Sequence, residues 1–229
     1  MKTNVPILIL ARGGSKRIKN KNIVDFCGKP LICHAIEKSL KITQDVFVSS
    51  DSEKILSISQ ASGAKIIKRP SHLATDKAKS VDCLKHFFEV TGFSNVCLLQ
   101  ATNPLIKKSH IKSGIESFLK ENFDTIVSGS KKKLYIWNEN LEPVNFDIES
   151  RNRSQEHRYV FVENGGFYIC NKKNIIQNGS IFAGSVGFEE IEKSCSVDID
   201  DEFDLSLARL IYEGDIKKWK KLLFYFTGL

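Results

Sequence analysis

Apolar and polar positions follow two periods along this chain, and the two periods take turns. A continuous apolar run at residues 5–10 breaks off into glycine and basic residues, as a buried parallel strand does when it feeds a turn. Over residues 29–40, Leu31, Ile32, Ala35, Ile36 and Leu40 recur at helical spacing, with Pro30 near the first helical position, where its missing donor costs nothing. A strand at residues 46–49 ends in Ser50-Asp51-Ser52, which can cap a helix over 53–62, and Gly63 stops that helix. Residues 65–68 read as a third strand. A helix over 80–90 then leads to a strand at 95–99, and a helix over 109–121 to a strand at 125–128. This alternation predicts an α/β fold with a mostly parallel sheet and right-handed crossovers.

Between residues 131 and 162 the pattern breaks: periodicity fades, polar residues rise, and Arg151, Arg153 and Arg158 stand among Asn, Ser and Gln. A stretch of that length predicts a functional loop or an oligomer arm. A strand at 166–170 restores the alternation, and an extended unit at 195–199 precedes a helix over 202–212. The expectation is one domain over residues 1–229, carrying 131–162 as an insertion.

Composition narrows the classes. Hydrophobic content of 41% and charged content of 27% are those of a globular protein. The net charge of +7 and pI near 9.0 admit nucleic acid, an anionic membrane or a polyanionic small molecule as partner. The basic residues come in short groups rather than one tail, and Lys107-Lys108 reads as a solvated face. Six scattered cysteines form no C-x-x-C pair, which removes zinc-ribbon and thioredoxin-type readings and leaves Cys97 and Cys170 as small core residues. With no leader-like pattern at the start and no bilayer-length apolar run, a reducing, cytoplasmic setting without a membrane span is expected.

Ligands of such sheets bind at the carboxyl ends of strands. There, Ala11-Arg12-Gly13-Gly14-Ser15-Lys16-Arg17 follows the first strand. Gly13 and Gly14 permit positive backbone dihedrals, so the amides of Gly13, Gly14 and Ser15 could form an anion nest, with Arg12, Lys16 and Lys21 adding full charges. A triphosphate needs that combination. The sequence is neither a P-loop nor a dinucleotide fingerprint, and glycine beside basic residues is as often a plain surface turn. Near the other end, Val197-Asp198-Ile199-Asp200 alternates, and an extended backbone would turn both aspartates to one face. Two carboxylates so placed suit magnesium, whereas Asp201 and Asp204 read as caps of the following helix.

These segments resemble the acylneuraminate cytidylyltransferases. The resemblance runs through Leu10, Ala11, Arg12, Ser15, Lys16, Lys21 and Asn22, then Gly28-Lys29-Pro30-Leu31, Val48-Ser49-Ser50-Asp51, Arg69-Pro70 and residues 76–80. It continues at Gln100-Ala101-Thr102-Asn103-Pro104-Leu105, Arg151-Asn152-Arg153-Ser154-Gln155, Glu163-Asn164-Gly165-Gly166-Phe167-Tyr168 and Val197-Asp198-Ile199-Asp200. It implies a Rossmann-like nucleotidyltransferase domain with a dimerisation arm, hence a homodimer whose arm helps close the partner's sugar site. It implies that CTP and a nonulosonic acid, N-acetylneuraminic acid first, give the CMP-sugar and pyrophosphate with Mg2+. Arg12, Lys16 and Lys21 would hold the triphosphate, Asn22 and Ser80 the cytidine, Asp198 and Asp200 the metal. Gln100 would lie between nucleotide and sugar, with Arg153 and Tyr168 on the sugar side; an interface role suits Arg153 equally well. Ala101, Asn103, Ser154 and Val162 depart from the family's commoner residues, and all fall near the expected sugar pocket.

Three rivals remain. Legionaminic or pseudaminic acid could replace N-acetylneuraminic acid, while 3-deoxy-manno-octulosonic acid fits worse, because its enzymes lack the Ser15-Lys16 and Lys21-Asn22 arrangement. A nucleic-acid-binding module would need aromatics on a shared basic platform, and the aromatics here follow strand and helix patterns instead. The basic, aromatic stretch at 219–226 could touch a membrane, although docking as a C-terminal helix suits it better.

Overall fold

The computed structural model describes residues 5–150, 153 and 158–214. Residues 151, 152 and 154–157 of the arginine-rich stretch and the C-terminal segment at 219–226 therefore lie outside the described residues.

Strand β1 (Ile7–Leu10) is followed by a hairpin of β2 (Asp25–Phe26) and β3 (Lys29–Pro30), then helix α1 (Leu31–Leu40), β4 (Val46–Ser50), α2 (Glu53–Ala61) and β5 (Lys65–Lys68). Next come α3 (Ser80–Thr91), β6 (Asn95–Leu99), α4 (Lys108–Lys120), β7 (Thr125–Lys132), β8 (Val160–Asn171), α5 (Lys172–Gln177), β9 (Val186–Glu190) and α6 (Glu202–Glu213). Seven strands form one sheet in the order β5-β4-β1-β6-β8-β7-β9. All neighbours pair parallel except β8, which runs antiparallel to both β6 and β7.

Covered on both faces, the central strands are apolar over most of their length, with Asn95 at the start of β6 and Ser49-Ser50 at the end of β4. Ile7 and Ile9 of β1 join Ile32 and Ile36 of α1, Ile55 of α2 and Ile111 and Ile115 of α4 on one face of the sheet. Leu8 joins Leu84, Phe87 and Phe88 of α3 and Ile175 of α5 on the other. Each such side chain taken from water contributes about 1.5–3 kcal/mol. A third cluster, Ile18, Phe26, Leu31, Ile199, Leu205 and Ala208, packs α6 against the hairpin and the turn after β1. It anchors the segment carrying Asp198 and Asp200 beside the segment carrying the cations.

The strand order matters for the site. From β1 the chain steps outward through β4 to β5, then returns to the other side of β1 for β6. The order reverses between β1 and β6, and the loops leaving these two strands open a crevice there.

Four expectations need correction. Helix α1 starts at Leu31, because Cys27 (φ 51) and Gly28 (φ 89) make a two-residue turn that folds Lys29–Pro30 back onto Asp25–Phe26. Pro30 is thus the residue before the helix. Residues 195–199 form no strand: Cys195 ends a 3-10 turn, and the Ile199 amide donates to Thr102 O at 2.9 Å instead of to a ladder. Helix α5 and strand β9 were not expected. The break at 131–162 is narrower than its sequence suggests, since β7 continues to Lys132 and β8 begins at Val160, paired through Lys132 and Val160. Between them, Trp137 bridges Pro143, and the rings of Tyr135 and Trp137 meet Phe146 edge-on at 4.9 and 5.0 Å. Ser52 does cap α2, Gly63 (φ 92) does end it, and Asp201 and Asp204 form a reciprocal cap on α6.

Candidate active site

Two cavities meet at the crevice. The first, about 510 Å3, is lined by Arg12, Ser15, Lys16, Arg17, Lys21 and Asn22 after β1, Arg69 after β5, Asp76 and Ser80 before and at the start of α3, and Gln100 to Thr102 after β6. The second, about 310 Å3, has Glu163, Gly165 and Tyr168 of β8, Phe182 and Asp198. Ser80, Gln100 and Thr102 line both, so a ligand in one would touch a ligand in the other across these three residues.

The first cavity is cationic, and its cations are held by two carboxylates. Asp76 accepts from Arg12 Nη1 and Lys16 Nζ, each at 2.5 Å. Hydrogen bonds from Lys16 and then Arg12 hold the Asp76 carboxyl below its ordinary range. Asp200 Oδ1 accepts from Arg17 at 2.9 Å and from Lys21 at 3.2 Å. Solvent-facing ion pairs of this kind contribute little to stability, so a polyanion can take over these cations at low cost. Lys21 also donates to Ile199 O at 2.7 Å, and Asn22 Nδ2 donates to Arg12 O at 3.1 Å. Those two bonds fix the turn to the acidic segment and to its own start.

The anion nest expected at the glycines is absent in that form. Neither Gly13 nor Gly14 lies in the left-handed region. The Gly13 amide donates to Asp51 Oδ1 at 2.9 Å, and a Cβ there would come within 3.1 Å of Ser52 Cβ. Gly13 therefore serves close packing against the end of β4, while Gly14 faces open space. Neither residue lines the first cavity, so positive charge there comes from side chains.

Arg69 was given no role from its sequence. It is 6% exposed, donates to Ser49 O at 2.5 Å and to Ser49 Oγ at 3.2 Å, and lines the cavity. Burial pushes its pKa down. A buried guanidinium bonded to neutral acceptors is a strong anion-seeking group. The rule that picked out the other strand ends also reaches it, because it directly follows β5.

The second cavity owes its shape to an irregularity in β8. Val127 pairs with Tyr168 and Gly129 with Glu163, so residues 164–167 of β8 stand opposite Ser128 alone. Such a bulge re-aims side chains beside a site. Ser128 Oγ donates to Asn164 Oδ1 at 2.8 Å and accepts from the Phe167 amide at 2.7 Å, which fixes the bulge. Gly165 (φ 67) then passes so close to Asp198 that a Cβ would lie 3.1 Å from Asp198 Oδ2. Tyr168 donates to Glu163 Oε2 at 3.0 Å, and burial followed by Glu163 raises its pKa.

Asp198 and Asp200 do not share a strand face. Asp198 turns to Gly165, Thr102 and the second cavity; Asp200 turns to Arg17 and Lys21. Burial raises the Asp198 pKa, a hydrogen bond from Thr102 opposes the rise, and Asp200 adds to it. Arg153 is exposed and is not among the residues lining either cavity. Of the thirteen residues singled out from sequence, Arg12, Ser15, Lys16, Lys21, Asn22, Ser80 and Gln100 line the first cavity. Asp198 and Tyr168 line the second, and Gly13, Gly14, Asp200 and Arg153 line neither.

Gly165→Ala should therefore damage the site twice, by backbone strain at a positive φ and by crowding Asp198. We expect kcat to fall about tenfold or more with the thermal midpoint lowered by only a few degrees. Unchanged kcat in a folded variant would mean that Asp198 does not need its present position.

The switch-point crevice, its basic wall and its antiparallel β8 define an α/β domain of the nucleotidyltransferase type. A CMP:2-keto-3-deoxy-manno-octonic acid synthetase solved with CTP has the same fold, with a TM-score of 0.70 at 19% identity, covering 93% of this chain and 99% of that one. The cytidylyltransferase family model matches residues 6–220, and the chain belongs to that family. Among curated relatives, an N-acylneuraminate cytidylyltransferase A of Danio rerio is 33% identical over 90% of this chain, which spans 50% of that protein's length. A pseudaminic acid cytidylyltransferase of Campylobacter jejuni is 32% identical, with 90% of this chain matching 95% of that protein. An N-acylneuraminate cytidylyltransferase of Escherichia coli is 30% identical over 93% of this chain, which spans 53% of it.

Proposed function

We propose that the chain transfers a cytidylyl group from CTP to a nonulosonic acid, giving the CMP-sugar and pyrophosphate. The observation that carries this reading is the pair of abutting cavities, one cationic and one polar, which share Ser80, Gln100 and Thr102. A triphosphate in the first and a sugar acid in the second would bring a hydroxyl to the α-phosphorus across that shared wall. Arg12, Lys16, Lys21 and Arg69 would hold the phosphates, and the transfer then needs positioning and charge neutralisation more than a covalent intermediate. Asn22 and Ser80 would contact the cytidine, Tyr168 and Glu163 the sugar. Asp198 would accept a hydrogen bond from the attacking hydroxyl.

The donors present fit a magnesium ion. Asp198 Oδ1 is buried with no partner among the described residues, and Asp200 is two residues away. Were Asp200 to leave Arg17 and Lys21 and turn toward Asp198, the two carboxylates with phosphate oxygens and water would make a set magnesium favours. Bound there, magnesium would offset charge on the phosphates. Asp200 would release Arg17 or Lys21 to the substrate in exchange.

The sugar is a nine-carbon keto acid, N-acetylneuraminic acid in the first reading. Pseudaminic acid is the second, favoured by the near full-length match to a relative named for it. Pyrophosphate release, measured with each nucleoside triphosphate against N-acetylneuraminic, legionaminic, pseudaminic and 3-deoxy-manno-octulosonic acids, with and without magnesium, tests the reaction. We expect turnover with CTP, one nine-carbon acid and magnesium. No turnover with CTP and any of these acids would refute it.

The same reading makes the segment between β7 and β8 a dimerisation arm, with Arg153 serving the partner's site. Leu141 is 77% exposed and Val144 60%, close to Trp137 at 44%, apolar side chains that a partner's surface could cover. Six cysteines, none in a disulfide, suit a reducing, cytoplasmic setting. Trp137→Glu with Leu141→Glu should convert a dimer to a monomer in light scattering; a wild-type protein that runs as a monomer would remove the arm's assigned role.

A further inference from the structure

Asn103 lies in the turn after β6, 1% exposed, and among the described residues neither polar atom of its carboxamide meets a partner. Asp198 Oδ1 is likewise buried and unpartnered. Both side chains pass close to Gly165. The Cβ position that Gly165 leaves empty is 3.1 Å from Asp198 Oδ2 and 3.9 Å from Asn103 Nδ2. Among the described residues the carboxamide and the carboxylate make no direct bond, and a small polar bridge between amide donor and carboxylate acceptor would satisfy both. Leaving such atoms unsatisfied carries their full desolvation penalty, so a bridging group is strongly favoured. A water accepts from one side and donates to the other, and it needs two to four polar neighbours to stay buried.

The backbone does not require an asparagine here. The Asn103 amide donates to Gln100 O at 3.4 Å and its carbonyl accepts from Ile106 at 3.3 Å, bonds that most residues could make. The loop is held from behind by Lys38, whose Nζ donates to Pro104 O at 2.8 Å and to Ile106 O. Its neighbour Thr102 accepts the Ile199 amide at 2.9 Å and lines the second cavity with Asp198. Two consecutive residues of one loop therefore address the same acidic segment.

We propose that Asn103 is a positioning residue, whose carboxamide orients the Asp198 carboxylate at the second cavity through a shared internal water. The inference rests on the functional reading above. Asn103 touches neither ligand in it; it fixes the direction of the group that does.

The test compares Asn103→Leu, close in volume and apolar, with Asn103→Ser, in the full chain. Wild type must first turn over CTP with its acid; failure there sinks the functional reading and leaves this inference to the binding arm. Asn103→Leu should keep or raise the thermal midpoint, lower kcat about tenfold or more, and leave KM for CTP within about twofold. It should also weaken Mn2+ binding, read by electron paramagnetic resonance without substrate, about tenfold. Asn103→Ser, still polar and with room for another water, should recover most of both. A stable Asn103→Leu with wild-type kcat and Mn2+ affinity would overturn the proposal. Should that variant not fold, Asn103→Ser against Asn103→Ala decides: several-fold better kcat and Mn2+ binding for serine supports the bridge, and equal values overturn it.

Discussion

Asp200→Asn is expected to lower magnesium-dependent kcat about 100- to 1000-fold, the scale of losing one preorganised electrostatic contact to a reacting phosphate. The substitution keeps shape and removes charge. It also leaves Lys21 with its bond to Ile199 O, so the turn after β1 stays tied to the acidic segment. The Asp200 side chain is half-exposed, and its loss should move the thermal midpoint by no more than a few degrees. Titrating magnesium over a wide range should not restore the rate. Full activity in the folded variant would remove Asp200 from the metal site and leave its carboxylate as a mere counter-ion for Arg17 and Lys21.

The second large effect is expected at Lys21. Its side chain is 17% exposed against 77% for Lys16, so its charge is less screened and its position better defined. Lys21→Met should lower kcat/KM for CTP about 100-fold or more, whereas Lys16→Met should lose about tenfold or less. Raising the salt concentration should narrow the Lys16 effect and leave the Lys21 effect nearly unchanged. Stopped or steady-state kinetics at two ionic strengths check the ranking. A larger loss at Lys16 would mean that the triphosphate sits at the exposed mouth of the cavity rather than against the acidic segment.

The parallel half of the fold was legible because burial writes itself plainly. Apolar runs such as Ile7–Leu10 and Asn95–Leu99 are covered by helices on both faces, so neither polarity nor alternation disguises them. The hairpin at Cys27 and Gly28 was not, since cysteine at positive φ carries no turn signal. The extension of β7 and β8 was hidden for a different reason. Phe161 and Tyr159 are solvent-facing there, and polar residues on both faces erase the alternation.

The site divides in the same way. Arg12, Lys16, Lys21 and Gln100 follow buried strands and could be placed by strand ends alone. Gly13 and Gly14 misled, because glycine permits a positive dihedral without requiring one; here Gly13 is small to let β1's turn approach Asp51. Asp198 and Asp200 alternate in sequence as a strand would. Yet hydrogen bonds to Thr102 O and from Lys21 draw the segment into a loop, so Asp198 turns to the second cavity and Asp200 to Arg17 and Lys21. The bulge at residues 164–167 carries the second cavity, and it depends on Ser128, 36 positions from Asn164, which no local pattern discloses.

In the proposed reaction, the basic turn after β1 and the polar cavity behind Gln100 would hold two substrates side by side for cytidylyl transfer. Mass spectrometry of the product after incubation with CTP, magnesium and each nonulosonic acid tests that most directly. A CMP-sugar is expected in equal amount with pyrophosphate from one nine-carbon acid, and none when UTP, ATP or GTP replaces CTP. CTP consumed without a sugar-linked CMP, or the acid left unchanged in every mixture, would contradict it.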